Sequence, residues 1–183
     1  MNIERFAIEG VVRIIPRAYA DARGVFSETY SRRGFAEALG QADFVQDNVS
    51  RSARRGTVRG LHYQAPPMAQ AKLVRVLKGA IFDVAVDARA GSPTYGRHVA
   101  VTLRADDGAQ LFVPRGFLHG FCTLEDDTEV FYKVDAYYSP AHDGSIHWAD
   151  PDLAIAWPIR EADAVLSEKD AAAPRFSAIQ GGF

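Results

Sequence analysis

Short stretches of alternating apolar and polar residues dominate the middle of the chain, from about residue 44 to residue 135. Segments such as Lys72–Val76 and Val99–Leu103 have the two-residue period of a β-strand. Gly, Pro and Asp interrupt the pattern at close intervals, and the clearest predicted turns lie at 77–80 and 106–108. Many short strands at this spacing predict a mainly antiparallel sandwich or barrel.

The predicted elements extend to both ends of the chain. The pattern predicts strands at 10–15, 25–30, 44–50, 58–64, 72–76, 81–87, 99–103, 109–113, 119–123 and 129–135, with a further edge strand at 155–158. Two short helices are expected, one over 32–39 ended by Gly40 and one over 167–173 capped by Ser167. No linker or repeat divides the chain, so residues 1–183 are expected to form a single domain.

Composition excludes several classes of function. A net charge of -2 over 183 residues provides no general attraction for nucleic acid or for anionic membranes. The single cysteine, Cys122, cannot form an internal disulfide, which favours a reducing compartment. The first residues do not resemble a signal peptide, and no apolar run approaches the roughly 20 residues that span a bilayer. We therefore expect a cytoplasmic protein with no membrane or nucleic-acid partner.

His62 and Lys72 are the first candidates for chemistry. They lie on neighbouring predicted strands with apolar flanks, where polar groups are costly unless they are used. Strict alternation would place His62 on one face with Val58, Gly60 and Gln64. We expect this face to form the active centre.

Two spacings resemble the motifs of cupins, which fold as a double-stranded β-helix. Gly56 precedes His62 by six positions, and a second motif runs from Gly108 through Pro114 and Gly116 to His119. A metal-binding cupin would carry a second histidine at position 64, where this chain has a glutamine, and the next polar side chain, Lys72, is a cation. The spacings therefore predict a double-stranded β-helix (jelly roll) with short peripheral helices. Metal ligands must be neutral or anionic, so the same residues predict that this cupin binds no metal.

Longer motifs resemble one particular group of cupins, the dTDP-4-dehydrorhamnose 3,5-epimerase family. The resemblance covers about residues 3–174 and rests on five segments: Arg59–Gln64, Lys72–Val76, Pro114–Phe121, Tyr137–Pro140 and Leu166–Asp170. It implies a homodimeric, cofactor-free isomerase of dTDP-L-rhamnose biosynthesis. Its substrate would be dTDP-4-dehydro-6-deoxy-D-glucose, inverted at C3 and C5 to give dTDP-4-dehydro-L-rhamnose.

The chemistry of such a reaction needs a base, a cation for the enolate and an acid on the opposite face. An imidazole suits the base, His62, and the Lys72 ammonium suits the enolate oxygen. The resemblance adds Asp170 as the carboxylate that orients His62 and Tyr132 as the acid. By pattern alone, Asp170 could equally be an acid in the first turn of a helix, where it faces the helix dipole. By pattern alone, Tyr132 is a core tyrosine.

The resemblance also implies a set of substrate-binding residues, namely Arg23, Glu28, Gln46, Asn48, Arg59, His119, Tyr138, Asp143 and Lys169. Arg23, Arg59 and Lys169 are suited to a diphosphate, and Tyr138 to stacking on thymine. In the family an N-terminal strand completes the site of the second subunit, so Arg23 and Glu28 are expected to act across that interface. Asp83 is a candidate partner for His119.

Three other functions remain open at this point. One is a single-centre epimerase of the same family that acts on another dTDP-deoxysugar, because the same residue types serve both reactions. A metal-dependent cupin enzyme and a non-catalytic sugar-binding cupin are the others. Gln64 and Lys72 speak against the metal-dependent enzyme.

Overall fold

The computed structural model describes residues 1–40 and 43–179. The chain in these ranges is mainly β. Burial alternates along strands such as Val12–Ile15 and Gln46–Ser52, as the sequence pattern predicts, whereas Phe117–Thr123 is buried throughout. The strands are β1 (Asn2–Arg5), β2 (Val12–Ile15), β3 (Ala18–Asp21), β4 (Gly24–Ser27), β5 (Gln46–Ser52), β6 (Val58–Gln64), β7 (Lys72–Lys78), β8 (Ala80–Asp87), β9 (His98–Arg104), β10 (Gln110–Val113), β11 (Phe117–Thr123), β12 (Thr128–Val134) and β13 (Asp143–Ser145). The helices are α1 (Arg32–Leu39), α2 (Glu168–Ala171) and two 3-10 turns, Glu161–Asp163 and Phe176–Ala178.

Two antiparallel sheets face each other across the core. One has the strand order β1-β2-β10-β7-β12-β5, and the other has the order β13-β6-β11-β8-β9. Apolar side chains from both sheets meet between them, including Val74, Ile81, Leu111, Phe121 and Val130. From β5 onward, successive strands alternate between the sheets except at the β8–β9 hairpin, which is the arrangement of a jelly roll. The predicted fold class is confirmed.

Helix α1 covers the outer face of the six-stranded sheet. Phe35 packs there with Ile14 and Phe112. Ser31 caps the helix by accepting a hydrogen bond from the backbone N–H of Gly34 at 3.3 Å, and Gly40 ends it in the left-handed conformation. The predicted bounds of this helix, 32–39, are confirmed.

The segment after β13 covers the outer face of the five-stranded sheet. The predicted edge strand at 155–158 is wrong, because these residues are irregular. The Trp157 indole donates a hydrogen bond to the carbonyl of Trp148 at 2.8 Å, and the two rings pack edge to face. The apolar residues of this segment therefore serve an aromatic cluster and not a sheet edge. The second predicted C-terminal element, the helix capped by Ser167, is present as α2.

The N-terminal part differs from the prediction in two ways. The expected strand at 10–15 is shorter, and β1 precedes it and pairs with it through Ile3 and Ile14. The expected strand at 25–30 is β4, which pairs only with β3 and forms a separate two-stranded hairpin. In the part of the chain that the structure describes, no helix is long and apolar enough to span a membrane.

Candidate active site

The centre of the site is a hydrogen bond between His62 on β6 and Asp170 on α2. His62 Nε2 lies 2.6 Å from Asp170 Oδ1, and the Asp170 side chain is only 5% exposed. Ser167 caps α2 by accepting a hydrogen bond from the Asp170 N–H at 3.1 Å, which fixes where the carboxylate points. Nε2 is engaged with the carboxylate, so Nδ1 is the ring nitrogen that is left to accept a proton.

The charge of Asp170 is favoured by this environment. Burial raises the pKa of the carboxyl group. A larger lowering comes from His62, through its hydrogen bond and its charge, and from hydrogen bonds with the Ser167 side chain and the Gly60 backbone. The pKa of Asp170 therefore lies below its ordinary value. An ionised carboxylate at this distance orients the imidazole and stabilises its protonated form.

A β-bulge in β6 brings Arg59 to the same cavity as His62. His62 lies opposite His119 of β11, whereas Arg59 lies opposite Phe121, so β6 has one extra residue between these pairs. The predicted alternation of Val58, Gly60 and His62 on one face is therefore wrong. At the bulge Gly60 has φ +133°, and a Cβ there would lie 2.5 Å from Gly120 Cα, so only glycine fits.

Tyr132 faces this pair from the opposite sheet. It lies on β12, packs against the main core, and borders a cavity of about 360 Å³. Burial raises the pKa of Tyr132, and the charge of Arg59 lowers it by less, so the phenol keeps its proton at neutral pH. The cavity is lined by Ser50, Thr57, Val58, Arg59, His62, Tyr132, Val165, Leu166, Ser167, Lys169 and Asp170. An imidazole and a phenol thus border one space from two different sheets.

Lys72 and His119 lie deeper, between the sheets. His119 is 6% exposed, and its Nε2 lies 2.7 Å from Asp83 Oδ1, which is the pairing predicted from the sequence. Lys72 is partly buried at the start of β7, and burial lowers its pKa to about 8. Neither residue borders the 360 Å³ cavity, although the pairing of β6 with β11 places His119 beside His62.

Five predicted binding residues form one hydrogen-bonded group, called the rim group, and Lys169 is its member that lines the cavity. Gln46 donates to Asn48 Oδ1 at 2.8 Å and accepts from the Tyr138 N–H at 3.1 Å. The Tyr138 hydroxyl donates to Asp143 at 3.3 Å, and the Lys169 ammonium pairs with the same carboxylate oxygen. The Tyr138 ring is 56% exposed, so its faces are open to a ligand.

Arg23 and Glu28 lie on other parts of the surface, away from both the cavity and the rim group. Arg23 lies in the β3–β4 hairpin and pairs with Asp21, and its side chain is 90% exposed. Glu28 borders a different depression, next to α1. Within one chain these two residues and His62 belong to separate surfaces.

Gln64 occupies the position where a metal cupin would have its second histidine. Its amide nitrogen donates to the carbonyls of Met68 and Tyr137 at 2.6 and 3.2 Å, and its oxygen accepts from the Ser139 N–H at 2.7 Å. Both ends of the side chain therefore hold loop backbone. This donor set does not favour a metal centre, because the next polar side chain beside His62 and His119 is the Lys72 cation, whereas metal ligands must be neutral or anionic.

Ser50 is a cavity-lining residue that the sequence patterns did not single out. Ser50 follows Gln46 and Asn48 at two-residue intervals on β5, so it shares their face. Its hydroxyl is buried and has no hydrogen-bond partner among the residues that the structure describes. Extending the alternation by one step would have found it.

The jelly-roll fold and a cavity lined by an imidazole–carboxylate pair and a phenol define the class of the protein, a cupin-type enzyme with groups suited to acid–base chemistry. A family profile described as dTDP-4-dehydrorhamnose 3,5-epimerase matches residues 5–178, and the chain belongs to this family. A relative of that name from Sinorhizobium fredii is 51% identical over 174 residues, which are 95% of this chain and 89% of the relative.

Two solved structures are informative neighbours. A 3,5-epimerase from Legionella pneumophila, in complex with dTDP-4-keto-L-rhamnose, is 47% identical with a TM-score of 0.90 and covers 95% of this chain and 92% of its own. A 3'-monoepimerase from Streptomyces bikiniensis, in complex with dTDP-quinovose, is 36% identical with a TM-score of 0.87 and covers 94% of this chain and 86% of its own. The same fold thus carries both double and single epimerisation.

Proposed function

We propose that this chain inverts C3 and C5 of dTDP-4-dehydro-6-deoxy-D-glucose to give dTDP-4-dehydro-L-rhamnose, without a metal or cofactor. The observation that carries the proposal is the His62–Asp170 pair facing Tyr132 across one cavity. The family membership and the likeness to the Legionella enzyme support the choice of substrate. A cytoplasmic location belongs to the same proposal, since nucleotide sugars are made there.

The reaction begins with proton removal beside the ketone. Nδ1 of His62 takes the proton from the carbon, and the electron pair moves onto the carbonyl oxygen to form an enolate. Asp170 stabilises the imidazolium, and the Lys72 ammonium stabilises the enolate oxygen. Tyr132 then donates its phenolic proton to the opposite face of the carbon, and solvent restores both groups. C3 and C5 flank the same carbonyl, so one constellation serves both centres in turn.

In this proposal, Arg59 and the rim group bind the nucleotide. Arg59 and Lys169 hold the diphosphate, and thymine stacks on Tyr138. Gln46, Asn48 and Asp143 supply hydrogen bonds, and His119 contacts the sugar. The rim group is already hydrogen-bonded in the free chain, so binding needs little reordering of these side chains.

We further propose a homodimer in which Arg23 and Glu28 reach the cavity of a second copy. Support comes from the hairpin that carries Arg23, because Val25 and Phe26 on it are 71% and 69% exposed. Arg23→Ala and His62→Ala should each be inactive alone. Mixing the two after dissociation should restore activity, since a mixed dimer has one intact site. No recovery in verified mixed dimers would contradict the shared site.

The test of the proposed function is product analysis by NMR with the purified protein. The wild type should form dTDP-4-dehydro-L-rhamnose, and His62→Ala should abolish this. Unchanged turnover by both His62→Ala and Tyr132→Phe would contradict the mechanism. A single-centre epimerase is the second candidate, favoured by the likeness to the Streptomyces 3'-monoepimerase, and it would leave either C3 or C5 uninverted.

A further inference from the structure

Asp83 of β8 is a buried carboxylate with only one of its oxygens in use. The residue is 0% exposed, and Oδ1 bonds to His119 Nε2 at 2.7 Å. Oδ2 is buried and has no hydrogen-bond partner among residues 1–40 and 43–179. An unpaired carboxylate oxygen inside a protein is unfavourable unless a nearby cation compensates for it.

Lys72 of β7 is the partly buried cation that we match to this oxygen. Its ammonium forms no hydrogen bond or ion pair within the described parts of the chain. Burial lowers the pKa of Lys72 to about 8, and Asp83 is the largest of the charges that oppose this. Two further charges act on Lys72: Asp143 of β13 raises the pKa, and Lys169 of α2 lowers it. Asp143 and Lys169 are paired with each other, so they partly cancel at Lys72.

The geometry points to Asp83 as a positioning residue whose two oxygens serve two different side chains. Oδ1 holds His119 through Nε2 and leaves Nδ1 for the sugar, while Oδ2 is the counter-charge that keeps Lys72 an ammonium. A neutral amine would stabilise an enolate oxygen far less than an ammonium does. The catalytic consequence rests on the proposed function, whereas the coupling of Asp83 to Lys72 does not.

Competitive labelling tests the coupling without any turnover. The protein is treated with trace acetic anhydride between pH 6 and 10, and acetylation of the Lys72 peptide is measured by mass spectrometry. Wild-type Lys72 should titrate at about 8. Asp83→Asn should lower this midpoint by roughly one unit, as loss of a nearby opposite charge does. The matched control, Asp143→Asn, removes an equal charge and should lower it less.

Three results would overturn the inference. They are an unchanged Lys72 midpoint in Asp83→Asn, a larger shift in Asp143→Asn, and an equal acidic shift in Asp83→Glu. Asp83→Glu keeps the charge, so its Lys72 should still titrate near 8. If Asp83→Asn does not fold, Asp83→Ser removes the same charge and takes its place, with the same expected fall in the Lys72 midpoint.

Turnover provides a second measurement. The alkaline limb of kcat should move to lower pH in Asp83→Asn and return in Asp83→Glu, which loss of packing alone would not produce. If the wild type does not epimerise the dTDP-sugar, the proposed function fails while the labelling result stands. If the wild type does turn over and neither the midpoint nor the limb moves, only the role of Asp83 fails.

Discussion

Asp170→Asn is the substitution that tests the proposed base most sharply. It keeps the size of the side chain, and the backbone N–H of residue 170 can still donate its hydrogen bond to the capping Ser167 hydroxyl. The change removes the negative charge that lies 2.6 Å from His62 Nε2. The imidazole then loses both the group that orients it and the counter-charge of its protonated form.

The magnitude follows from this hydrogen bond. A hydrogen bond to a charged group contributes about 1.5–3 kcal/mol, and here it is strongest when His62 has taken the proton. Tenfold in rate corresponds to about 1.4 kcal/mol, so kcat should fall about 10- to 150-fold. KM should change little, because Asp170 does not itself contact the nucleotide in the proposed complex.

Steady-state kinetics with NMR detection of the product measure this effect. Glu168→Gln is the matched control, since it removes a charge from an exposed position of the same helix and should leave kcat within about twofold. A kcat for Asp170→Asn within threefold of the wild type, with the fold intact by circular dichroism, would refute the assignment of His62 and Asp170 as a working pair.

Further predictions concern the acid, the loops and acid stability. Tyr132→Phe should lower product formation by about 10²- to 10⁴-fold, because the acid on the opposite face is lost. Proton exchange from the His62 face should continue, so the substrate should take up ²H in D₂O without inversion. A normal yield of product would contradict this. Gln64→His should lose three hydrogen bonds to loop backbone, and urea titrations should show about 2–3 kcal/mol less unfolding free energy. Elemental analysis should show no stoichiometric metal in this variant. Undiminished stability or one bound metal ion per chain would be the contrary result. Ionised Asp170 stabilises the fold, because its pKa is lower in the folded state than in the unfolded state. This stabilisation is fully present above the ordinary aspartate pKa of about 3.9 and is lost as the pH falls through the lower folded value. The wild type should therefore lose more unfolding free energy than Asp170→Asn when the pH is lowered from 6 to 3, and parallel losses would contradict the ionised carboxylate.

Local sequence patterns predicted the elements whose causes are local. The end of α1 followed from Gly40, and the tight turn at Gly79 followed from a glycine between two alternating segments. The β-bulge at Gly60 depends on the partner strand, because the glycine allows close approach to Gly120. Its consequence, Arg59 and His62 on one cavity, could not be read from alternation.

The site was predicted unevenly for the same reason. Asp170 does lie in the first turn of a capped helix, and Tyr132 does pack against the core, so both pattern-based interpretations describe these residues correctly. Their contact with the cavity depends on how α2 and β12 are placed relative to β6, and only the family resemblance pointed to it. The unpaired oxygen of Asp83 is likewise a property of the folded chain.

Metal-independent proton transfer at two carbons is the central claim, and one experiment addresses it directly. The protein is treated with a chelator, freed of it, and incubated with dTDP-4-dehydro-6-deoxy-D-glucose in D₂O. NMR should show one deuterium at C3 and one at C5 in dTDP-4-dehydro-L-rhamnose, at the rate of the untreated protein. Exchange at only one of the two carbons, or activity that returns only when a metal is added, would contradict it.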